Sequence, residues 1–263
     1  MKIIDCFTFY NELDMLKFRL NVLKDIVDTF VIVEANQTHM GKDKRLFSQD
    51  ISGLFTDLSG KIIHKVVDLP FRENKLNTRA NEQWINERFQ RDYISGVIQN
   101  MGLGDDDIIL ISDVDEIPDP ITISKIRSGS ILVSLNKLEQ DFYYYNLRSR
   151  FVNKWYHAKV LRHSVFKELR MTCSNIRHHE CKSIPRGGWH LSYFGTKEFI
   201  RNKLENFAHS EHNIPQTTDL ANIQRCIDTT ECLVGKSYKM QSIPLSENKY
   251  LPPEYTTYLK LFL

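Results

Sequence analysis

The sequence predicts an α/β protein with a mainly parallel sheet flanked by helices and an antiparallel extension in the second half. Three observations carry that reading. Strand-like and helix-like segments alternate over residues 1–120, the pattern of right-handed crossovers between parallel strands. Ile108 to Ile111 is an unbroken apolar run, as in a strand buried on both faces. Beyond residue 130, strand-like segments follow one another directly, as antiparallel neighbours do.

Taken in order, Lys2 to Phe9 reads as the first strand. Asn11 to Asp28 follows as a helix, with Leu13, Leu16, Leu20, Leu23 and Val27 at helical spacing. Phe30 to Ala35 is the second strand, and the polar segment Asn36 to Leu46 leaves its carboxyl end. Lys61 to Val67 supplies a third strand, closed by the turn Asp68-Leu69-Pro70. Leu76 to Gln99 reads as one long helix with an apolar face of Ala80, Trp84, Ile85, Phe89, Tyr93 and Val97. Its Arg79, Glu82, Glu87 and Arg91 read as solvent-facing charges. Gly102 to Asp107 then turns the chain into the strand at Ile108.

In the second half, Ser130 to Leu135, Phe142 to Leu147 and His157 to Arg162 read as strands without intervening helices. Ile184 to Phe194 (IPRGGWHLSYF) reads as a Gly-Gly turn leading into a strand. Thr196 to Phe207 and Thr217 to Val234 read as helices, and Tyr250, Tyr255 and Tyr258 in the irregular tail are available to pack back. No linker composition or internal repeat divides the chain, so one domain over residues 1–263 is expected.

Composition excludes several classes. The net charge is +2 with dispersed lysines and arginines and no nucleic-acid motif, so no nucleic-acid partner is expected. Five irregularly spaced cysteines argue against a disulfide framework and for a reducing compartment. No apolar run approaches a membrane span, and the N-terminus turns polar too soon for a signal peptide, which points to a cytoplasmic protein.

The chemistry concentrates in IILISDVDEIPDP. Asp113 and Asp115 leave a buried strand one residue apart, and Glu116 follows. Such oxygens suit a hard divalent ion, Mn²⁺ or Mg²⁺, that could grip a diphosphate, although a solvated acidic turn has the same look. Phosphate-loop, dinucleotide, G-x-S-x-G and H-E-x-x-H patterns are absent, and Cys173, His178, His179 and Cys181 match no standard zinc spacing.

The segments FTFYNELDMLKFRL, VDTFVIVEANQTHMGKDK, DDDIILISDVDEIP and GGWHLSYFG, with a weaker echo in YLPPEY, resemble glycosyltransferase family 17 in the family's order and over most of the chain. Arg148 to Pro185 carries no matching motif, which leaves the acceptor open. The resemblance implies a GT-A-like single domain, with a nucleotide-sugar-binding half over residues 1–120 and an acceptor-side half over residues 121–263. It also implies metal-dependent, inverting transfer of a sugar, N-acetylglucosamine, from UDP to a glycan acceptor.

By that resemblance Asp115 is the direct metal ligand, Asp113 supports it or holds the ribose, and His190 completes the shell. A histidine beside Trp189 is equally a packed core residue. Glu34, Asn36, Gly41 and Lys44 would frame the donor, with Lys44 or Arg79 offsetting phosphate charge. Thr8, Asn11 and Glu12 follow the first strand, where a nucleotide base is cradled; Asn11 and Glu12 also suit a helix cap. Glu116 is the nearest candidate general base, with Glu139 and Asp141 as alternatives. The same acidic strand end would also serve a metal-dependent nucleotidyltransferase or nucleotide-sugar hydrolase, or persist in a catalytically silent glycan-binding protein.

Overall fold

Alternate residues of the first strand enter two different cores, and the sheet is built around that division. The computed structural model describes residues 1–235 and 239–263. In it β1 (Ile3–Phe9) sends Ile3, Phe7 and Phe9 to a core shared with α1 (Leu13–Leu23), while Ile4 and Cys6 enter the opposite one. Side chains alternate across a strand, so a strand with apolar residues on both faces needs cover on both.

The first half continues with β2 (Thr29–Ala35), α2 (Ser48–Leu54), β3 (Ile62–Val67), α3 (Glu82–Gln99), β4 (Ile108–Asp113), β5 (Glu116–Pro118) and α4 (Pro120–Arg127). Then come β6 (Leu135–Tyr144), β7 (Asn146–Phe151), β8 (Lys159–Arg162), α5 (His163–Leu169), α6 (Cys173–His178) and β9 (Lys182–Ser192). The chain closes with α7 (Lys197–Asn206), α8 (Pro215–Thr218), α9 (Leu220–Thr229), β10 (Met240–Ser242) and α10 (Tyr255–Tyr258).

The main sheet order is β10-β7-β6-β8-β4-β1-β2-β3, with β9 beside β6 and β5 beside β9. Strands β3, β2, β1 and β4 are parallel, so their carboxyl ends share one edge, and the register sets Thr8 directly beside Asp113. Strand β8 pairs antiparallel with β4 and begins the expected extension, although β9 runs parallel to β6 within it.

The long helix departs most from expectation. It begins only at Glu82, after a left-handed Asn81 (φ 58°). Its buried face is Gln83, Asn86, Gln90, Arg91, Ile94 and Ile98, whereas Ile85, Phe89 and Tyr93 are 36%, 43% and 42% exposed. Hydrogen bonding explains the rotation. Gln90 Nε2 donates to the carbonyls of Phe9 (3.1 Å) and Val33 (2.9 Å) at the strand ends, and Asn86 Nδ2 donates to those of His39 and Phe71. Unpaired buried carbonyls are costly, so supplying them with donors outweighs burying the aromatic stripe.

The second half also differs from the sequence reading. Helices α4, α5 and α6 interrupt the strands, the first with Pro120 at its start and Asp119 accepting from Ile121 N–H as its cap. Residues 130–134 are not a strand, and the segment from Thr217 is divided between α8 and α9, the latter capped by Asp219. The Gly-Gly pair lies inside β9 rather than in a turn. Gly188 (φ +129°) passes so close to β5 that an added Cβ would lie 2.0 Å from the Ile117 carbonyl oxygen. The tail does pack back: Trp189 Nε1 donates to the Tyr250 carbonyl at 3.0 Å, and Tyr250, Tyr255 and Tyr258 join the core that begins at Ile3. Among the described residues, no helix is long and apolar enough to cross a membrane.

Candidate active site

The carboxyl ends of β1, β2 and β4 open on a cavity of about 740 Å³. Parallel strands commonly place ligands at this edge, because their ends converge there and the loops leaving them are free to vary. Thr8, Glu12, Lys44, Asp113, Asp115 and His190, all singled out in the sequence, line it together.

The acidic turn is fixed from beneath by Arg19 of α1, which is fully buried. Arg19 pairs with Asp5 at 2.6 Å and 2.8 Å, and its NH1 donates to the carbonyls of Asp113 (2.8 Å) and Glu116 (2.9 Å). One guanidinium thus satisfies the backbone of the turn and sets where each carboxylate points.

Asp113 is held by protein cations. Its Oδ1 accepts from Thr8 Oγ1 (3.2 Å) and Arg91 (3.0 Å), and its Oδ2 accepts from Arg177 at 2.7 Å. Burial pushes this carboxyl up, but Arg177 and Arg91 outweigh it and hold the group well below the usual carboxylate range. Asp115 faces a different set. Its Oδ2 lies 3.2 Å from Lys203 Nζ, and its Oδ1 lies 3.6 Å from His190 Nε2. Burial again opposes ionisation, and Lys203 and then His190 overcome it. Lys203 also reaches Glu12 Oε1 at 3.2 Å. The His190 ring is stacked on Phe142 at 4.7 Å and tilted against Trp155 at 4.3 Å, so it is both packed and turned toward Asp115.

Glu116 does not line the cavity and is fully buried. Its oxygens accept from Arg177 at 2.7 Å and 2.6 Å, from Trp155 Nε1 at 2.5 Å and from Asp113 N–H at 3.0 Å. Burial raises this carboxyl, yet Arg177 keeps it low. An enclosed carboxylate with its oxygens already engaged differs from the exposed general base that the sequence suggested, since a base must come within hydrogen-bond reach of the acceptor hydroxyl. Glu139 and Asp141, the alternatives, line a separate pocket of about 380 Å³.

Other predicted residues support the site from outside it. Glu34 is fully buried and binds Lys44 Nζ (2.6 Å), His64 Nε2 (3.0 Å) and Phe47 N–H, so it positions Lys44 rather than facing a ligand. Asn36 donates to Asp68. Gly41 (φ +80°) makes a tight turn against Arg72 and Glu73, where a Cβ would lie 2.4 Å from Glu73 N. Asn11 binds Asn202 of α7, and Arg79 is an exposed residue outside the cavity.

Arg19, Arg91, Trp155, Arg177 and Lys203 were not anticipated as a set. Arg91 looked like a solvent-facing helix charge, but it is only 2% exposed. Arg177 lies in the stretch without a matching motif and arrives 61 residues after Glu116. Local periodicity carries no signal for such pairings.

Of the residues proposed for a divalent ion, Asp115 and His190 fit. Their facing atoms are 3.6 Å apart, and hard ions of this class complete their shells with water and substrate phosphate. Both Asp113 oxygens accept from Thr8, Arg91 and Arg177 instead of facing His190. Among the described residues, the one group of three or more His, Cys, Asp or Glu side chains with ligand atoms all within 4.8 Å of one another is His209, Glu211 and His212.

The fold and this cleft define an α/β protein with a polar cavity at its parallel strand ends. The chain belongs to glycosyltransferase family 17, whose family model matches residues 1–240. It is 28% identical over 134 residues to the β-1,4-mannosyl-glycoprotein 4-β-N-acetylglucosaminyltransferases of Rattus norvegicus and Homo sapiens. Those matches cover 49% of this chain but only 24% of each relative. Likeness to solved structures is loose. S. aureus TarS 1-349 aligns with a TM-score of 0.44 at 11% identity, covering 78% of this chain and 65% of that one. For 4-diphosphocytidyl-2C-methyl-D-erythritol synthase the TM-score is 0.42 at 9% identity, with 71% and 88% covered.

Proposed function

We propose that the cavity is the donor site of a metal-dependent, inverting glycosyltransferase that moves N-acetylglucosamine from a UDP-sugar to a glycan acceptor. The observation that carries this reading is Asp115, in the turn just beyond β4, facing His190 and Lys203 inside a cleft also lined by Lys44, Arg91 and Arg177. Family membership and the N-acetylglucosaminyltransferase relatives support the donor chemistry.

In this reading Asp115 and His190 would hold the divalent ion, which when bound would supply positive charge to a leaving diphosphate. Lys44 and Lys203 add positive charge at the strand ends. Thr8 and Tyr10 border the nucleotide side, and the aromatic wall of Tyr144, Trp155 and Tyr193 borders the acceptor side. The acceptor hydroxyl oxygen forms a bond to the anomeric carbon as the carbon–oxygen bond to UDP breaks. The bonding pair leaves with UDP, and the hydroxyl proton passes to a base. Glu116 is a positioning residue: it holds Trp155 and Arg177, and Arg177 in turn holds Asp113.

Purified protein with Mn²⁺ and a panel of UDP-sugars tests the reading through UDP release with and without glycan acceptors. The expected result is UDP release from UDP-N-acetylglucosamine that requires both the ion and an acceptor. Release without acceptor would favour a hydrolase, and no release with any acceptor would favour a silent binding protein.

A further inference from the structure

Lys203 occupies a position that a metal-dependent reading would give to a metal. Its ammonium lies 3.2 Å from Asp115 Oδ2 and 3.2 Å from Glu12 Oε1, in a side chain only 10% exposed. The Tyr193 and Phe207 rings stand 5.7 Å and 5.9 Å from Nζ and shield the charge from water. Two carboxylates from separate segments, each with a side chain about 10% exposed, are therefore neutralised by one cation, which arrives on α7.

The two arginines hold Asp113 differently. Arg177 also spans Glu116 with both terminal nitrogens, and Arg91 is braced by Glu87 at 2.7 Å. Planar guanidinium groups bound in this way are fixed. A lysine ammonium is a point charge on a flexible four-carbon stem and has no preferred fork, so it can leave one carboxylate without dismantling a bidentate pair. Among the described residues Asp115 Oδ1 has no comparably short donor, the His190 Nε2 facing it being 3.6 Å away.

We propose that Lys203 is an exchange cation: it neutralises Asp115 and Glu12 before donor binds, and gives up Asp115 to the divalent ion entering with the diphosphate. The released ammonium remains tethered at Glu12 and pairs with a donor phosphate. This rests on the metal-dependent UDP-sugar reading. It makes ion and donor binding cooperative, because an ion alone must displace Lys203 into a site with no phosphate to receive it.

The test is Mn²⁺ binding by calorimetry and by loss of the free Mn²⁺ paramagnetic resonance signal, with and without UDP. The proteins compared are the unaltered chain, Lys203→Met, Lys203→Gln and the charge-preserving Lys203→Arg. Unaltered protein should bind Mn²⁺ weakly alone and about tenfold or more tighter with UDP. Removing the nearby positive charge in Lys203→Met or Lys203→Gln should tighten Mn²⁺ binding without UDP by about tenfold or more and erase most of the UDP dependence. Lys203→Arg should show no such gain. The neutral variants should also gain more thermal stability from Mn²⁺ than the unaltered protein does. If unaltered protein binds Mn²⁺ neither with nor without UDP, the metal-dependent reading itself fails. If it binds Mn²⁺ with UDP but a folded neutral variant binds the ion alone no tighter than unaltered protein, the exchange role is overturned and the donor-site reading stands.

Discussion

Arg177 grips Glu116 with both of its terminal nitrogens, at 2.7 Å and 2.6 Å, and the same guanidinium reaches Asp113 at 2.7 Å. The pair is enclosed, with Glu116 fully buried and Arg177 5% exposed. Removing one member strips the other of its bidentate partner in a buried site, whereas removing both does not. Arg177→Met or Glu116→Leu alone should cost about 3–5 kcal/mol in urea unfolding, and the double variant distinctly less than the sum.

Because Glu116 is sealed away from the cavity, its loss should not remove a titrating base. Glu116→Gln should retain the acidic limb of the kcat/KM profile while losing stability. Disappearance of that limb, with the protein still folded, would return Glu116 to the chemistry.

Asp115 and Asp113 should separate in metal titrations. Asp115→Asn is expected to weaken Mn²⁺ binding in the presence of UDP by about a hundredfold and to abolish transfer, since it removes a proposed ligand. Asp113→Asn should leave Mn²⁺ affinity within about threefold but destabilise the fold, because it removes the carboxylate charge that Arg91 and Arg177 share. Equal loss of ion binding in both variants would restore Asp113 to the ligand set.

Stability should fall in two stages on acidification. Burial, with Arg177 nearby, pushes His157 down to about 4, and burial lowers His39 and His178 as well. The unfolded chain binds protons on these rings near their ordinary value of about 6.5, so stability declines as pH falls from there toward 4. Asp113, Asp115 and Glu116 are also depressed in the folded state. Their contribution is present above the ordinary carboxylate values and is lost as pH falls below about 4. Denaturant melts from pH 8 to 3 should show both stages, and His157→Gln should flatten the first. An unchanged slope between pH 6.5 and 4 in that variant would exclude His157 as a contributor.

The helix-face assignment is open to a direct comparison. Phe89→Ser, on the exposed face of α3, should change stability by no more than about 0.5 kcal/mol. Gln90→Leu leaves the Phe9 and Val33 carbonyls without their donor and should cost about 1–3 kcal/mol by thermal or urea unfolding. The reverse ranking would mean that α3 buries its aromatic stripe.

By itself the sequence determined the alternating first half, the parallel strands and the placement of Asp113 and Asp115 at a strand end. Those features depend on local spacing and on unbroken apolar runs that only a doubly covered strand explains. It also carried the family, through segments spread over most of the chain. The tertiary structure decided what each charged group faces. Glu116 became an enclosed anchor because Arg177 and Trp155 arrive from distant segments, and α3 turned its polar side inward because strand-end carbonyls had to be satisfied. Lys203 met Asp115 across 88 residues of chain. Such pairings reflect the desolvation of charges brought together only by folding, and no spacing within one segment encodes them.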